Sequence, residues 1–407
     1  MIERRIALSG AARDPPSRRF CYVARGVMRG ALGLSVVLAM SGCKVFDAGL
    51  IEPPEDASST VDAPPEDVPT VDAPPTPTGL RKVPTRPAAE SEGPDGELVL
   101  FALRDVRLRQ DADRWRDIGL DLDDLESVPP VPEVECVPPN ETAEPEIDGN
   151  DGIDNVFGNR LYPLVEIVLE NLEEDSRTNQ AAGLGAILLR MSGWNGTRND
   201  PRVSVLLSQS AAGTPADPDS VRFDGTTLVN DADGMPAPLP VWDGSDHWFA
   251  RDDTFLMADE NRPRVRDDNA YVSDGTVVMR LPDRVDILFF AGSEAGVRVR
   301  LTDAYAFGTM NDDFTAIEIA TVAGRWAVLD LLDTGNNIGI CVGTPERNIV
   351  ETQLDTIADV RSTRGSGGPG VVCDAISLGV TFRAVRANWA GLGPSLPLPD
   401  PCAEPEM

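Results

Sequence analysis

Apolar and polar residues alternate with a period near two through most of the second half of the chain, and this pattern predicts strands. Leu98 to Leu108 mixes Val, Leu and Phe with charged residues and reads as the first strand. Ile187–Met191 and Val203–Leu207 flank the turn residues Asn195-Gly196 and Asn199-Asp200-Pro201, which predicts a long hairpin. Further strands are expected at His247–Leu256, Ala270–Val272, Thr276–Leu281, Val285–Phe290, Val297–Leu301, Thr315–Thr321 and Ala375–Val385. Ser273-Asp274-Gly275 marks a tight turn between two of them. A helical period appears at Leu161 to Leu172, where Leu161, Leu164, Val165, Val168, Leu169 and Leu172 share a face. Shorter helices are expected at Arg325–Leu332 and Pro345–Val360, the latter with Thr344 as N-cap and proline at the first position. Short strands with a turn about every ten residues predict a mostly β fold. The expected architecture is a β-sandwich of jelly-roll type with two or three appended helices.

A different pattern precedes this domain. Arg25 and Arg29 flank an apolar run, Ala31 to Met40, which ends in Ser41-Gly42-Cys43. The run is shorter than the about 20 residues a membrane-spanning helix needs, and a basic flank, short apolar core and small residues make an export leader. Leu38-Ala39-Met40-Ser41-Gly42-Cys43 resembles the lipobox of bacterial lipoproteins. The resemblance implies cleavage after residue 42, lipidation of Cys43 and a membrane partner reached through that anchor. Lys44 follows the cysteine where inner-membrane retention typically uses aspartate, so outer-membrane delivery is expected. Met28 is the expected translation start, with a long basic leader as the alternative.

Residues 43–94 then read as an acidic, proline-rich stalk. Thr60-Val61-Asp62-Ala63-Pro64-Pro65 recurs as Thr70-Val71-Asp72-Ala73-Pro74-Pro75. Such composition buries no core and reaches at most roughly 150 Å if extended. The globular domain is expected over 95–402, with a tail at 403–407.

Charge narrows the partners. The chain carries 67 Asp and Glu against 36 Lys and Arg, a net charge of −31. The leader holds seven arginines and only Glu3 and Asp14, so its removal makes the protein more acidic still. Phosphate backbones would be repelled, which excludes nucleic acid as a partner. Beyond Cys43 four cysteines remain: Cys136, Cys341, Cys373 and Cys402. An even number in an exported chain predicts two disulfides, with three connectivities open. Cys341–Cys373 with Cys136–Cys402 is the pairing we expect.

Candidate chemistry is sparse. Asp148, Asn150, Asp151, Asp154 and Asn155 lie among glycines, a pattern suited to calcium, which takes six to eight oxygen ligands. Asp121, Asp123 and Asp124 lie upstream. The spacing departs from the EF-hand, since with Gly152 in the glycine position Ile147 and Gly149 would stand at ligand positions. Solvated Asx turns are the alternative. Trp242, His247, Trp248 and Phe249, near Asp243, Asp246, Asp252 and Asp253, could stack on a sugar ring, although alternating aromatics more often form core. His247 is the single histidine, so multi-histidine metal sites are excluded. Gly-x-Ser-x-Gly, His-Glu-x-x-His and phosphate-loop motifs do not occur. Paired glycosidase-type carboxylates remain open with so many acids.

Trp115…Gly119-Leu120-Asp121-Leu122-Asp123, Asp151-Gly152-Ile153-Asp154-Asn155 and Cys373-Asp374-Ala375-Ile376-Ser377-Leu378-Gly379 are similar to segments of uncharacterised lipoproteins of myxobacteria and their relatives. That resemblance covers much of residues 97–402 and implies envelope location and a shared cysteine pattern, with no activity attached. The expected function is a lipid-anchored envelope protein with a non-catalytic binding or structural domain for an unknown protein or glycan ligand, stabilised by calcium. A glycan-binding or glycan-hydrolysing module at Trp242–Phe249 is the alternative.

Overall fold

Runs of Val, Ile, Leu and Phe alternating with charged residues become twelve strands among the described residues of the computed structural model, which cover 81–89, 96, 98–130, 132–291, 295–395 and 401–402. The leader, Cys43, most of the stalk and the 403–407 tail lie outside these residues. The strands are β1 (Val99–Arg107), β2 (Ile187–Ser192), β3 (Asp200–Thr214), β4 (Val221–Asp224), β5 (Thr227–Asn230) and β6 (His247–Arg251). They continue with β7 (Val265–Ser273), β8 (Thr276–Arg280), β9 (Val285–Ala291), β10 (Ala295–Met310), β11 (Ala316–Ala327) and β12 (Ala375–Gly393).

Eight of them form a closed antiparallel ring, β1–β2–β3–β7–β8–β10–β11–β12 and back to β1. The expected sandwich is therefore wrong: the molecule is an eight-stranded up-and-down barrel. Two contacts make the difference. β12 returns to the first strand, with Leu103 opposite Ala384, and β3 pairs β7 across a 50-residue excursion, with Leu207 opposite Val265. Alternation along a strand is the same in both architectures, so the pattern alone could not choose between them.

The inward residues are apolar. Phe101, Leu103, Ile187, Leu189, Val205, Leu207, Val277, Met279, Val322, Leu378, Val380 and Phe382 are buried in one cluster. Outward positions such as Arg202, Arg266, Asp268 and Arg280 are exposed. A water-filled membrane barrel has the opposite sense, with its apolar band outside.

Loops and helices cover parts of the outside. β3 and β12 overrun the barrel and hold β6 between them, antiparallel to β3 and parallel to β12. Trp248 and Trp242 seal this layer onto Leu100, Ala102 and Leu188. On the opposite outer face, residues 110–160 and 358–374 lie directly on β11 and β12. Gly379 permits this, because a Cβ there would stand 2.5 Å from the Ile118 carbonyl oxygen.

The helices are α1 (Tyr162–Val168), α2 (Leu172–Ala181), α3 (Val328–Asn336) and α4 (Pro345–Ile357). The apolar face expected over Leu161–Leu172 is broken at Leu169, and Asn171, with φ 67°, starts α2. β11 runs through Arg325 and Trp326, so α3 begins later than the sequence suggests. α4 starts as expected, with Thr344 Oγ1 accepting from the Arg347 N–H.

Both disulfides form, between partners other than those expected. Cys136 pairs with Cys373 and Cys341 with Cys402, at Cα separations of 5.1 and 5.4 Å. The parallel bridge Val137–Val372 sets Cys136 beside Cys373. The C-terminal segment reaches the loop after α3 instead.

Part of the stretch that reads as stalk is docked. Val83 packs against the cluster of Leu120, Leu122 and Ala323, as do Tyr305 and Phe307. Arg86 lies 4.4 Å over the Tyr271 ring, and Tyr271 Oη donates to the Pro84 carbonyl at 2.5 Å.

Candidate functional site

Toward one end of the barrel the described residues line a cavity of about 810 Å³. Its position follows from strand lengths. β7 pairs with β3 only as far as Leu207, and beyond that point β9 is the facing strand, tied back by Gln209 Nε2 donating to the Leu288 carbonyl at 2.6 Å. β9 itself pairs only with the first half of β10. A gap remains in the wall between β3 and β9. Its apolar floor includes Ile187, Leu207, Leu281, Ile287, Leu301 and Val322.

The rim is basic. Arg251, Arg264, Arg284, Arg298 and Arg300 line it, against Asp253 and Asp286. Arg298 and Arg300 alternate on β10 and share a face. Asp286, opposite Arg300 in the strand register, accepts from Arg300 Nε at 2.6 Å and lies 3.3 Å from Arg298 Nε. Arg251 is nearly fully buried and holds Asp253 through Nε at 3.0 Å and a terminal nitrogen at 2.6 Å. Arg284 meets Asp330 on α3, behind the rim. Ser208, 4 % exposed, also lines the cavity, and its Oγ has no hydrogen-bond partner among the described residues. Sequence reasoning missed all of these arginines. They are spread over fifty residues in four elements, with no local motif to join them.

The acidic residues singled out from sequence divide. Asp148 and Asp154 are buried: Asp148 hydrogen-bonds Asp154 and accepts from Ser127 N–H at 2.5 Å, and Asp154 meets Asp121 and Asp123. Ligand oxygens of Asp121, Asp123 and Asp154 lie within 4.8 Å of one another. Asn155 is a structural pin: its side-chain amide donates to Gln110 and the Ile118 carbonyl, and its Oδ1 accepts from Gly379 N–H at 3.0 Å. Asn150 donates to Asp117, and Asp151 carries φ 56° in a turn whose carbonyl accepts from Arg81 N–H. Of the loop expected to wrap a cation, Asp154 joins Asp121 and Asp123, while Asn150 and Asn155 bond elsewhere.

Protons and one lysine balance the cluster. The Lys82 ammonium bonds Asp121 and Asp124. Leu122 N–H donates to Asp154 Oδ2 at 2.6 Å and Leu125 N–H to Asp123 Oδ1 at 2.9 Å. Burial, reinforced by the charges of Asp123, Asp148 and Asp359, holds the Asp154 carboxyl well above the usual carboxylate range. Burial pushes Asp148 up to about 7 and Asp359 up to about 8, with neighbouring acids adding to both. Three carboxylate oxygens, one set already held by an ammonium, are short of what calcium takes.

These carboxyls make stability depend on pH. A carboxyl with a raised folded pKa binds its proton more tightly in the folded chain than in the unfolded one. Its contribution is full below about pH 4. It is lost as pH rises through about 7 for Asp148 and about 8 for Asp359. Asp359 accepts from Ser377 N–H at 2.8 Å and from Ser377 Oγ at 2.6 Å; an uncharged amide keeps the first through its oxygen and reverses the second, its nitrogen donating to Ser377 Oγ. We expect Asp359→Asn to match the native chain only near about pH 4 and to melt higher than it above about pH 8. Melting curves of both proteins across this range provide the check, and an Asn variant that is weaker at every pH would sink the argument.

Trp242 and Trp248 offer no stacking face. Trp248 is fully buried, Trp242 packs edge-on against it with ring centroids 4.6 Å apart, and Arg104 covers the Trp242 ring at 5.1 Å. The Trp242 indole N–H donates to the Ala181 carbonyl at 3.2 Å. His247 begins β6 opposite Thr214 and Asn388 and does not line the cavity. Asp246 caps the turn by accepting from the Val241 and Trp242 N–H groups. The aromatic cluster is thus the seal of the outer layer and not a sugar platform.

The class defined by fold and site is a closed eight-stranded up-and-down barrel with an apolar interior and one arginine-rimmed mouth. Comparison with protein-family models, with curated proteins and with solved structures finds no match to this chain.

Proposed function

We propose that this protein is a lipid-anchored component of the bacterial cell envelope whose barrel is a non-catalytic binding module. The observation that carries the binding reading is the cavity of about 810 Å³, which falls in the range of small-molecule sites. Small closed barrels either fill with side chains or hold one small ligand. This one does the first through most of its length and leaves room for the second at one end. The leader, Cys43 and the acidic stalk support the anchored location, and the apolar-in, polar-out sense of the barrel fits a domain held beside a membrane rather than within it.

Hydrolysis of glycans is not supported by the groups at the cavity. Asp253 and Asp286 each stand in ion pairs with arginine, and the single imidazole lies elsewhere. The buried Asp121–Asp154 cluster is sealed under loops and Lys82.

The test of the binding reading uses N-phenyl-1-naphthylamine, a neutral apolar fluorophore. We expect one saturable site, and its loss in Leu256→Trp, which plugs the rim from a partly exposed position. Equal, unsaturable fluorescence in both proteins would reduce the barrel to a scaffold. Labelling with radioactive palmitate, present in the native chain and lost in Cys43→Ser, checks the anchor.

A further inference from the structure

We infer that the cavity takes a small amphipathic anion, an apolar tail bearing one carboxylate or phosphate head, with the rim arginines as the head-group site. The inference rests on reading the cavity as a binding site and specifies what enters it. Charge is the first argument. In a chain of net charge −31, the cavity lining gathers Arg251, Arg264, Arg284, Arg298 and Arg300 against Asp253 and Asp286, with Asp330 and Asp333 on α3 pairing Arg284 and Arg300 from outside the lining. An acidic protein that concentrates arginine at one concave surface creates there a local field favourable to anions.

Geometry is the second argument. A guanidinium has five N–H donors in a planar fork that matches the oxygens of a carboxylate or phosphate. Arg284 and Arg298 each meet one carboxylate, at Asp330 and Asp286, and so keep N–H groups for another acceptor. The pair Arg298 and Arg300 is held on one face of β10 by Asp286, which fixes the forks in place before any ligand arrives.

The third argument is the apolar lining: Ile187, Leu207, Leu281, Ile287, Leu301 and Val322 border the same cavity as the arginines. The apolar floor behind these groups accepts the tail. Carboxylate and phosphate heads share this chemistry, and the choice between them is left to the titration.

The experiment is calorimetric titration of the full chain with four ten-carbon amphiphiles: decanoate, decyl phosphate, decanol and decyltrimethylammonium. We expect one-to-one binding of at least one anion, about tenfold or more tighter than decanol, with the cation weaker than both. The tighter anion identifies the head group. Arg298→Gln and Arg264→Gln should each weaken the anion and leave decanol unchanged. Arg264 is exposed, so its variant keeps the test open if Arg298→Gln unfolds the wall. Decanol and the cation binding as tightly as the anions would overturn the anion inference and leave the binding module standing. No binding by any of the four, together with no N-phenyl-1-naphthylamine site, would overturn the binding module itself.

Discussion

Replacing Arg325 by Met is expected to destabilise the domain by about 3–5 kcal/mol, the cost of breaking a buried ion pair from one side. The Arg325 side chain is fully buried on the outer face of β11. It bonds Glu135 Oε2 at 2.6 Å, the Arg361 carbonyl at 2.7 Å and the Leu122 carbonyl. One guanidinium therefore fastens three covering segments to the barrel wall. Its loss strands a carboxylate that is itself buried, together with two carbonyls. Adding Glu135→Gln to Arg325→Met should recover part of the loss, because it removes the stranded charge. Urea unfolding of the oxidised native, single and double variants measures this. A single variant within about 0.5 kcal/mol of the native chain would mean that the covering loops hold without the guanidinium.

Trp248→Ala is expected to cost a similar amount, about 3–5 kcal/mol, by opening a large cavity between β6 and the barrel. The indole is fully buried and lies on Gly213, where a Cβ would stand 2.8 Å from the ring. Gly213 is small because the ring covers it, so Gly213→Ala should also destabilise, from the other side of the same contact. Trp248→Phe should lose less than Trp248→Ala. Unfolding free energies for the three variants give the order. A neutral Trp248→Ala would contradict the role of the indole as the seal of the outer layer and return it to the surface chemistry its sequence neighbourhood suggests.

The hairpin of β2 and β3 was legible because alternation and turn residues act locally, and Leu189 indeed faces Leu207. So was the β7–β8 turn, where Asp274 and Gly275 take the positive φ that tight hairpins demand. The start of α4 was legible for the same reason, since an N-cap is a contact three residues long. Asp148 and Asp154 were visible as unusual. Asp121 and Asp123 were legible upstream without being joined to them, and Asp359 was not legible, because it arrives from a segment more than 200 residues further along the chain. The cavity was invisible for a related reason: its arginines read one by one as ordinary solvated positions of strands and turns.

The chain's own order of residues determined its β character, its local turns and caps, its acidity and its even set of four cysteines beyond Cys43. Each depends on neighbours along the chain or on composition alone. Closure into a barrel, the pairing of Cys136 with Cys373 and of Cys341 with Cys402, the burial of both indoles and the gathering of arginines at one mouth were decided only in the tertiary structure. These depend on which distant strand completes the hydrogen bonding of an edge. Period-two alternation leaves that choice open, because it fixes which face of a strand is buried and not which strand lies beside it.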